Sequence, residues 1–195
     1  LHSQIDLLRH GDVIGGSCYR GITDDPLSPL GWKQMQQALI DQPPWNIILS
    51  SPLLRCYAFS QSLAKDLHCP LISVDAFQEI NFGDWEGKTA DQINPIQLSK
   101  YYADPSRYPP PNGESFQPFQ ERVTQAWQNI LTQYPDKKIL LITHAGVIRV
   151  ILAQVLGLDL AHSFKIKIAH ACFSRIDCFY DAKSGDFLQL TQHGR

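Results

Sequence analysis

Three short apolar runs constrain this chain more than anything else in it. Residues 5–8, 47–49 and 139–142 are rich in Ile and Leu and show no polar–apolar alternation. A strand wetted on one face alternates, whereas a strand buried on both faces does not, and strands of the second kind belong to parallel sheets covered by helices. A helical pattern succeeds each run. After the first run and a long loop come Ser28 and Pro29, then Leu30, Met35, Ala38 and Leu39. Ser suits an N-cap and Pro the first helical position. Ser51 and Pro52 repeat that arrangement after the second run, ahead of Leu53, Tyr57, Leu63, Ala64 and Leu67. After the third run, Gly146 opens a helix that is apolar almost all round, and Gly157 supplies its stop. Phe116, Phe119, Val123, Trp127, Ile130 and Tyr134 fall three or four apart and predict one more helix over residues 115–134. Residues 71–74 read as a short strand. Residues 173–180 and 187–190 read as two more, joined in a hairpin through residues 181–186. The expected fold is an α/β three-layer sandwich, with a mostly parallel central sheet, helices on both faces and a C-terminal antiparallel strand.

Composition narrows the function. The chain has 195 residues, 44% of them apolar and 18% charged, which supports a core and argues against disorder. Its 17 basic and 19 acidic side chains leave a net charge of −2, so no basic excess points to nucleic acid or an anionic membrane as partner. Five cysteines, with no Cys-x-x-Cys pair, are expected to be free thiols in a reducing compartment, not a disulfide framework or a zinc site. Residues 1–4 do not read as opening a signal peptide. The most apolar stretch, residues 147–160, is interrupted by Arg149, Gln154 and Asp159 and is too short to span a bilayer. A soluble cytoplasmic protein is the expectation. Residues 94–113 are rich in Pro and Tyr and read as a lid or insert.

The chemistry lies just beyond the end of each strand. The first ends in Arg9-His10-Gly11. The second ends in Ser50-Ser51-Pro52, with Arg55 in the next turn. The third ends in Thr143-His144-Ala145-Gly146. Carboxyl ends of parallel strands share one edge, where ligands bind, so His10, His144, Arg9 and Arg55 are expected to meet there. Two arginines, two histidines and nearby helix N-termini make a cationic pocket whose natural guest is a phosphoryl group. A neutral imidazole can take that group covalently and divide one displacement into two. The leaving alkoxide needs a proton. Glu79 is the first candidate donor, with Asp84 and Glu86 as rivals.

At these residues the chain resembles the histidine phosphatase superfamily, with its phosphoglycerate mutase-like fold. Arg9-His10-Gly11 matches the motif of the phosphorylated histidine. Leu53-Leu54-Arg55 matches the second arginine motif, Glu79 the proton donor, and His144-Ala145-Gly146 the second histidine motif. The resemblance implies one domain over residues 1–195, with a lid or insert at about 80–114. It implies His10 as nucleophile, Glu79 as proton donor and acceptor, His144 as transition-state stabiliser, and Arg9, Arg55 and Thr23 as phosphate contacts. It also implies no metal and no cofactor. Within the superfamily the chain is most similar to α-ribazole phosphatases, through residues 19–28, 81–87 and 112–115. The implied substrate is a small phosphate monoester, α-ribazole 5′-phosphate, with phosphoglycerate mutase or a broad sugar and nucleotide phosphatase as the alternative. Two positions depart from the pattern: Asp12 stands where Glu is usual, and Gly16 where many relatives carry a phosphate-contacting Asn. Ser17 or the backbone of Gly15 and Gly16 could serve there. Trp85, Phe82, Tyr101, Tyr102 and Tyr108 either line a pocket for a flat heteroaromatic base or pack the insert. No sequence feature sets the oligomeric state.

Overall fold

A computed structural model describes residues 2–180 and 186–194, with the side chain of Leu160 left out. Six strands form one sheet: β1 (His2–Arg9), β2 (Ile47–Ser50), β3 (Leu71–Ser73), β4 (Lys138–Thr143), β5 (Phe173–Phe179) and β6 (Phe187–His193). Their order across the sheet is β3-β2-β4-β1-β5-β6. The first four are mutually parallel; β5 runs antiparallel to β1, and β6 antiparallel to β5. The expected hairpin connection falls on residues 181–185, outside the described residues.

The three apolar runs lie at the centre of this sheet, and their pleat divides each between two cores. Ile5, Leu7, Ile47, Leu49, Ile139 and Leu141 face one side. Leu8, Ile48, Leu140 and Ile142 face the other. The first side is covered by α4 (Phe116–Gln133) and α5 (Ala145–Leu156), which bury Phe119, Val123, Trp127, Ile148 and Ile151. The second is covered by α1 (Pro29–Ala38) and α2 (Leu54–Leu67), through Met35, Cys56 and Phe59. Double burial is why alternation is absent from the sequence: each neighbouring residue meets a different helix layer, and both layers are apolar. The architecture is the expected mixed α/β sandwich.

Helix ends obey the sequence signals with one exception. Ser28 caps α1, its Oγ accepting from the Gly31 N–H at 3.0 Å. Gly157 stops α5 in the left-handed conformation. Ser51 and Pro52, however, do not repeat the first arrangement. Helix α2 begins two residues later, with Leu53 at its N-cap and no side-chain cap. Asp24 takes up the exposed Leu54 N–H at 2.5 Å, while Ser51 Oγ accepts only from the Leu53 N–H ahead of the helix, at 3.3 Å.

Between β3 and α4 the chain forms short 3-10 turns and α3 (Pro95–Ala103). Trp85, Ile93 and Tyr101 form a small apolar cluster there, packed against Tyr19, Phe82 and Phe164. Among the described residues no helix is long and apolar enough to cross a membrane.

Candidate active site

Strands β1 and β4 are adjacent, with Arg9 opposite Thr143, so His10 and His144 leave the same sheet edge side by side. The His10 N–H donates to the Thr143 carbonyl at 3.0 Å. Their rings meet edge-on with centroids 5.3 Å apart, and both are buried. Neighbouring β2 ends at Ser50 beside Ile142, which puts Ser51 within reach of His144: its Oγ lies 2.7 Å from Nε2. The same hydroxyl that accepts from the Leu53 N–H thus also meets His144.

His10 Nδ1 lies 2.8 Å from the Gly11 carbonyl. A carbonyl only accepts, so Nδ1 carries the proton and Nε2 keeps its lone pair. Burial, reinforced by Arg9 and Arg55, holds His10 well below its ordinary value of 6.5. Burial and then Arg55 do the same to His144. Both rings are therefore neutral at neutral pH, and the tautomer of His10 suits attack through Nε2.

The arginines are held by carbonyls, not carboxylates. Arg9 Nη1 donates to Ile168 O at 2.7 Å. Arg55, wholly buried, donates from Nη1 to Thr23 O at 2.7 Å and from Nη2 to Gly21 O at 2.6 Å. The Nε of each is buried without a hydrogen-bond partner. Desolvation pulls Arg9 down to about 10 and lowers Arg55 as well. Five N–H donors on a guanidinium leave each arginine several to give to an anion.

Three carboxylates compete as the acid, and they occupy three different settings. Asp84 accepts from Asn112 at an exposed position. Glu86 accepts from the backbone N–H groups of Gly21, Ile22, Thr23 and Phe82 and from the Thr23 hydroxyl, so its lone pairs are taken. Gly21 has to be glycine in this cradle, because a Cβ there would come within 1.9 Å of Ile80 O. Glu79 is buried and lines a cavity of about 190 Å³, together with Arg9 and Gly146. It accepts from Gly146 N–H at 2.9 Å and Ile80 N–H at 3.0 Å. A Cβ on Gly146 would lie 2.2 Å from Glu79 Oε1, so the glycine after His144-Ala145 makes room for the carboxylate.

Thr23 thus serves Arg55 through its carbonyl, while its hydroxyl is turned to Glu86. Gly15 and Gly16 both have positive φ, and the Gly16 carbonyl accepts from Arg20 at 3.1 Å. Ser17 is exposed. Asp12 ties the first loop to α1, accepting from Ser28 Oγ at 2.6 Å.

Several neighbours of this cluster carried no clear sequence signal. Arg122 of α4 grips the segment that bears Glu79, donating to the carbonyls of Ala76 at 2.7 Å and Gln78 at 2.8 Å, and pairs with Glu114 at 2.9 Å. His170 lies 5.7 Å from His10, centroid to centroid, and burial with Arg9 pulls it down to about 4. Arg149 of α5 also lines the cavity. Among the aromatics, Phe82, Tyr101 and Tyr102 face the cavity, with Tyr19 and Phe164. Trp85 and Tyr108 instead border a separate hollow beside Pro109.

Among the described residues no three His, Cys, Asp or Glu side chains converge as metal ligands, and Cys18, Cys56, Cys69, Cys172 and Cys178 are free thiols. Guanidinium groups around two imidazoles repel a cation and favour an anion of tetrahedral oxygens.

Fold and site together are those of an α/β sandwich with a cationic, histidine-bearing pocket at the carboxyl edge of its parallel strands. The family model of the histidine phosphatase superfamily (branch 1) matches residues 5–190, and the chain belongs to that superfamily. It is a phosphatase. PhoE of Bacillus subtilis (strain 168), described as an uncharacterized phosphatase, is 29% identical over 88% of this chain and 86% of its own. The adenosylcobalamin/alpha-ribazole phosphatase of Escherichia coli (strain K12) is 26% identical over 88% of each chain. The crystal structure of the alpha-ribazole phosphatase from Shigella flexneri superposes with a TM-score of 0.83 at 26% identity, covering 98% of this chain and 96% of that one.

Proposed function

We propose that this chain is a metal-independent phosphomonoesterase that works through a phosphohistidine at His10 and acts on α-ribazole 5′-phosphate. The observation that carries the reading is the fixed, neutral His10 imidazole beside Arg9, Arg55 and His144, with Glu79 on the cavity side. In the first step Nε2 attacks phosphorus and the P–O ester bond breaks. The electron pair goes to the leaving oxygen, which takes the proton of the Glu79 carboxylic acid. In the second step water attacks phosphorus and gives its proton to Glu79, and the N–P bond pair returns to Nε2. Arg9 and Arg55 offset charge on the equatorial oxygens. The incoming dianion also offsets the cationic repulsion on His144, which then donates to the same oxygens.

The substrate reading is supported by the aromatic walls of the cavity, which suit a flat heteroaromatic leaving group, and by the likeness to proteins named as α-ribazole phosphatases. The test is a kcat/KM panel on α-ribazole 5′-phosphate, 3-phosphoglycerate, sugar phosphates and nucleotides, run before and after exhaustive chelation. The expected result is preference for α-ribazole 5′-phosphate and unchanged rates after chelation. Activity lost with the chelator and restored by a divalent metal overturns the mechanism. Acid-free quench and mass spectrometry should find phosphate on His10 and none in His10→Ala.

A further inference from the structure

The mechanism leaves one cavity cation without a task. Arg20 is neutralised by Asp25 at 2.8 Å. Arg9 and Arg55 flank the histidines. Arg149 stands apart from these, on α5 three residues beyond Gly146, whose N–H holds Glu79. Residues three apart share a helix face, so Arg149 and the N–H that holds Glu79 face the same cavity. The alcohol of the ester must sit by the carboxylate that would protonate it, and so within that cavity.

The Arg149 side chain lines the cavity, and its Nε is buried without a hydrogen-bond partner. Its guanidinium carbon rests 5.7 Å over the ring of Phe164, another cavity wall. No hydrogen bond or ion pair joins it to a described residue. It is close enough to Arg9 to depress that group further. The Glu79 carboxylate shares the cavity, but its hydrogen bonds come from the backbone N–H groups of Gly146 and Ile80 and not from the half-buried Arg149. The guanidinium fork is thus presented, flat and with free N–H donors, to whatever fills the outer cavity.

We propose that Arg149 reads the leaving group. Its guanidinium donates to an acceptor on the alcohol side of the ester. The chain therefore favours phosphomonoesters whose leaving group carries an oxygen or ring-nitrogen acceptor over those that carry none. The proposal rests on the phosphomonoesterase reading but not on α-ribazole as the substrate. A carboxylate oxygen and a neutral azole nitrogen or hydroxyl share this chemistry, and the two are separable by experiment.

The experiment compares wild type with Arg149→Met and Arg149→Lys on three substrates. Phenyl phosphate has no acceptor beyond its ester group, α-ribazole 5′-phosphate has neutral ones, and 3-phosphoglycerate has a carboxylate. The expected result for Arg149→Met is that kcat/KM on both acceptor-bearing substrates, taken relative to phenyl phosphate, falls about ten-fold or more, chiefly through KM. Arg149→Lys keeps the charge but loses the fork, so it should recover 3-phosphoglycerate more than α-ribazole 5′-phosphate. A parallel fall on all three substrates overturns the proposal, since Arg149 would then act on the transferring phosphate or on the fold. Unchanged ratios overturn it as well. Thermal melting of both variants shows whether folding is affected, and because the readout is a ratio within one preparation, partial unfolding does not imitate the expected result. Wild-type turnover of phenyl phosphate without turnover of α-ribazole 5′-phosphate would refute the substrate reading alone and leave the Arg149 comparison on 3-phosphoglycerate intact.

Discussion

Glu79 is the residue whose role makes the sharpest kinetic prediction. A general acid matters in proportion to how poor the leaving group is, because a phenolate that is stable as an anion does not need the proton. Glu79→Gln should therefore lower kcat/KM on an alkyl ester such as α-ribazole 5′-phosphate by about 10²–10⁴-fold, and that on p-nitrophenyl phosphate far less. Equal losses on the two substrates would assign Glu79 to structure and not to proton transfer. Gly146→Ala should reproduce the same leaving-group dependence, since the added Cβ would fall 2.2 Å from Glu79 Oε1 and drive the carboxylate from its place. Position 79 was legible from the sequence only as one of three carboxylates. The structure separates them by what each accepts from: Glu86 is saturated by the loop at residues 21–23, Asp84 faces Asn112, and Glu79 lines the cavity.

Elements hold these residues in place through contacts that no local pattern announces. The loop at residues 21–23 carries two carbonyls that seat Arg55, and Glu86 in turn gathers the N–H groups of that loop. Glu86→Ala should release the loop and with it Arg55. Inhibition by inorganic phosphate is then expected to weaken about ten-fold, as the loss of a charge-assisted fork would produce. An unchanged inhibition constant would show that Arg55 is seated without the cradle. Arg122 does for Glu79 what Glu86 does for Arg55, gripping residues 76–79 from α4. Ser51 shows how an element-level expectation fails. Ser before Pro is a sound helix-start signal, and it holds at Ser28, but at Ser51 the hydroxyl is needed by His144, and Asp24, thirty residues away in sequence, answers the helix instead.

The whole molecule carries its buried histidines at a cost that depends on pH. His10 and His144 are held well below 6.5 by burial and by the arginines around them. Below that value the unfolded chain takes up protons on both imidazoles that the folded chain refuses. Their contribution to stability is thus complete above 6.5 and is lost as pH falls toward the folded values, on the order of 1 kcal/mol per pH unit for each imidazole. Melting temperature should fall between pH 7 and 5, and His10→Asn should flatten that slope. An identical slope in His10→Asn would mean that other groups carry the acid sensitivity. Inorganic phosphate should offset the loss, because an anion that binds the folded state stabilises it by mass action.

The sequence by itself determined the layers of this protein and which of its charged and imidazole side chains gather at the sheet edge. Three unalternating apolar runs can be buried only between two helix layers, and motifs placed after strands must gather where parallel strands end. His10, His144, Arg9 and Arg55 were legible for that reason. Only the tertiary structure decided how those residues are served. It brought Ser51 to His144, Glu86 to the loop under Arg55, Arg122 to the segment of Glu79, and Arg149 to the outer cavity. Each of these pairs a side chain with a partner distant in sequence or exposes it to a shared space, and neither composition nor periodicity encodes which distant partner a hydrogen-bonding group will meet.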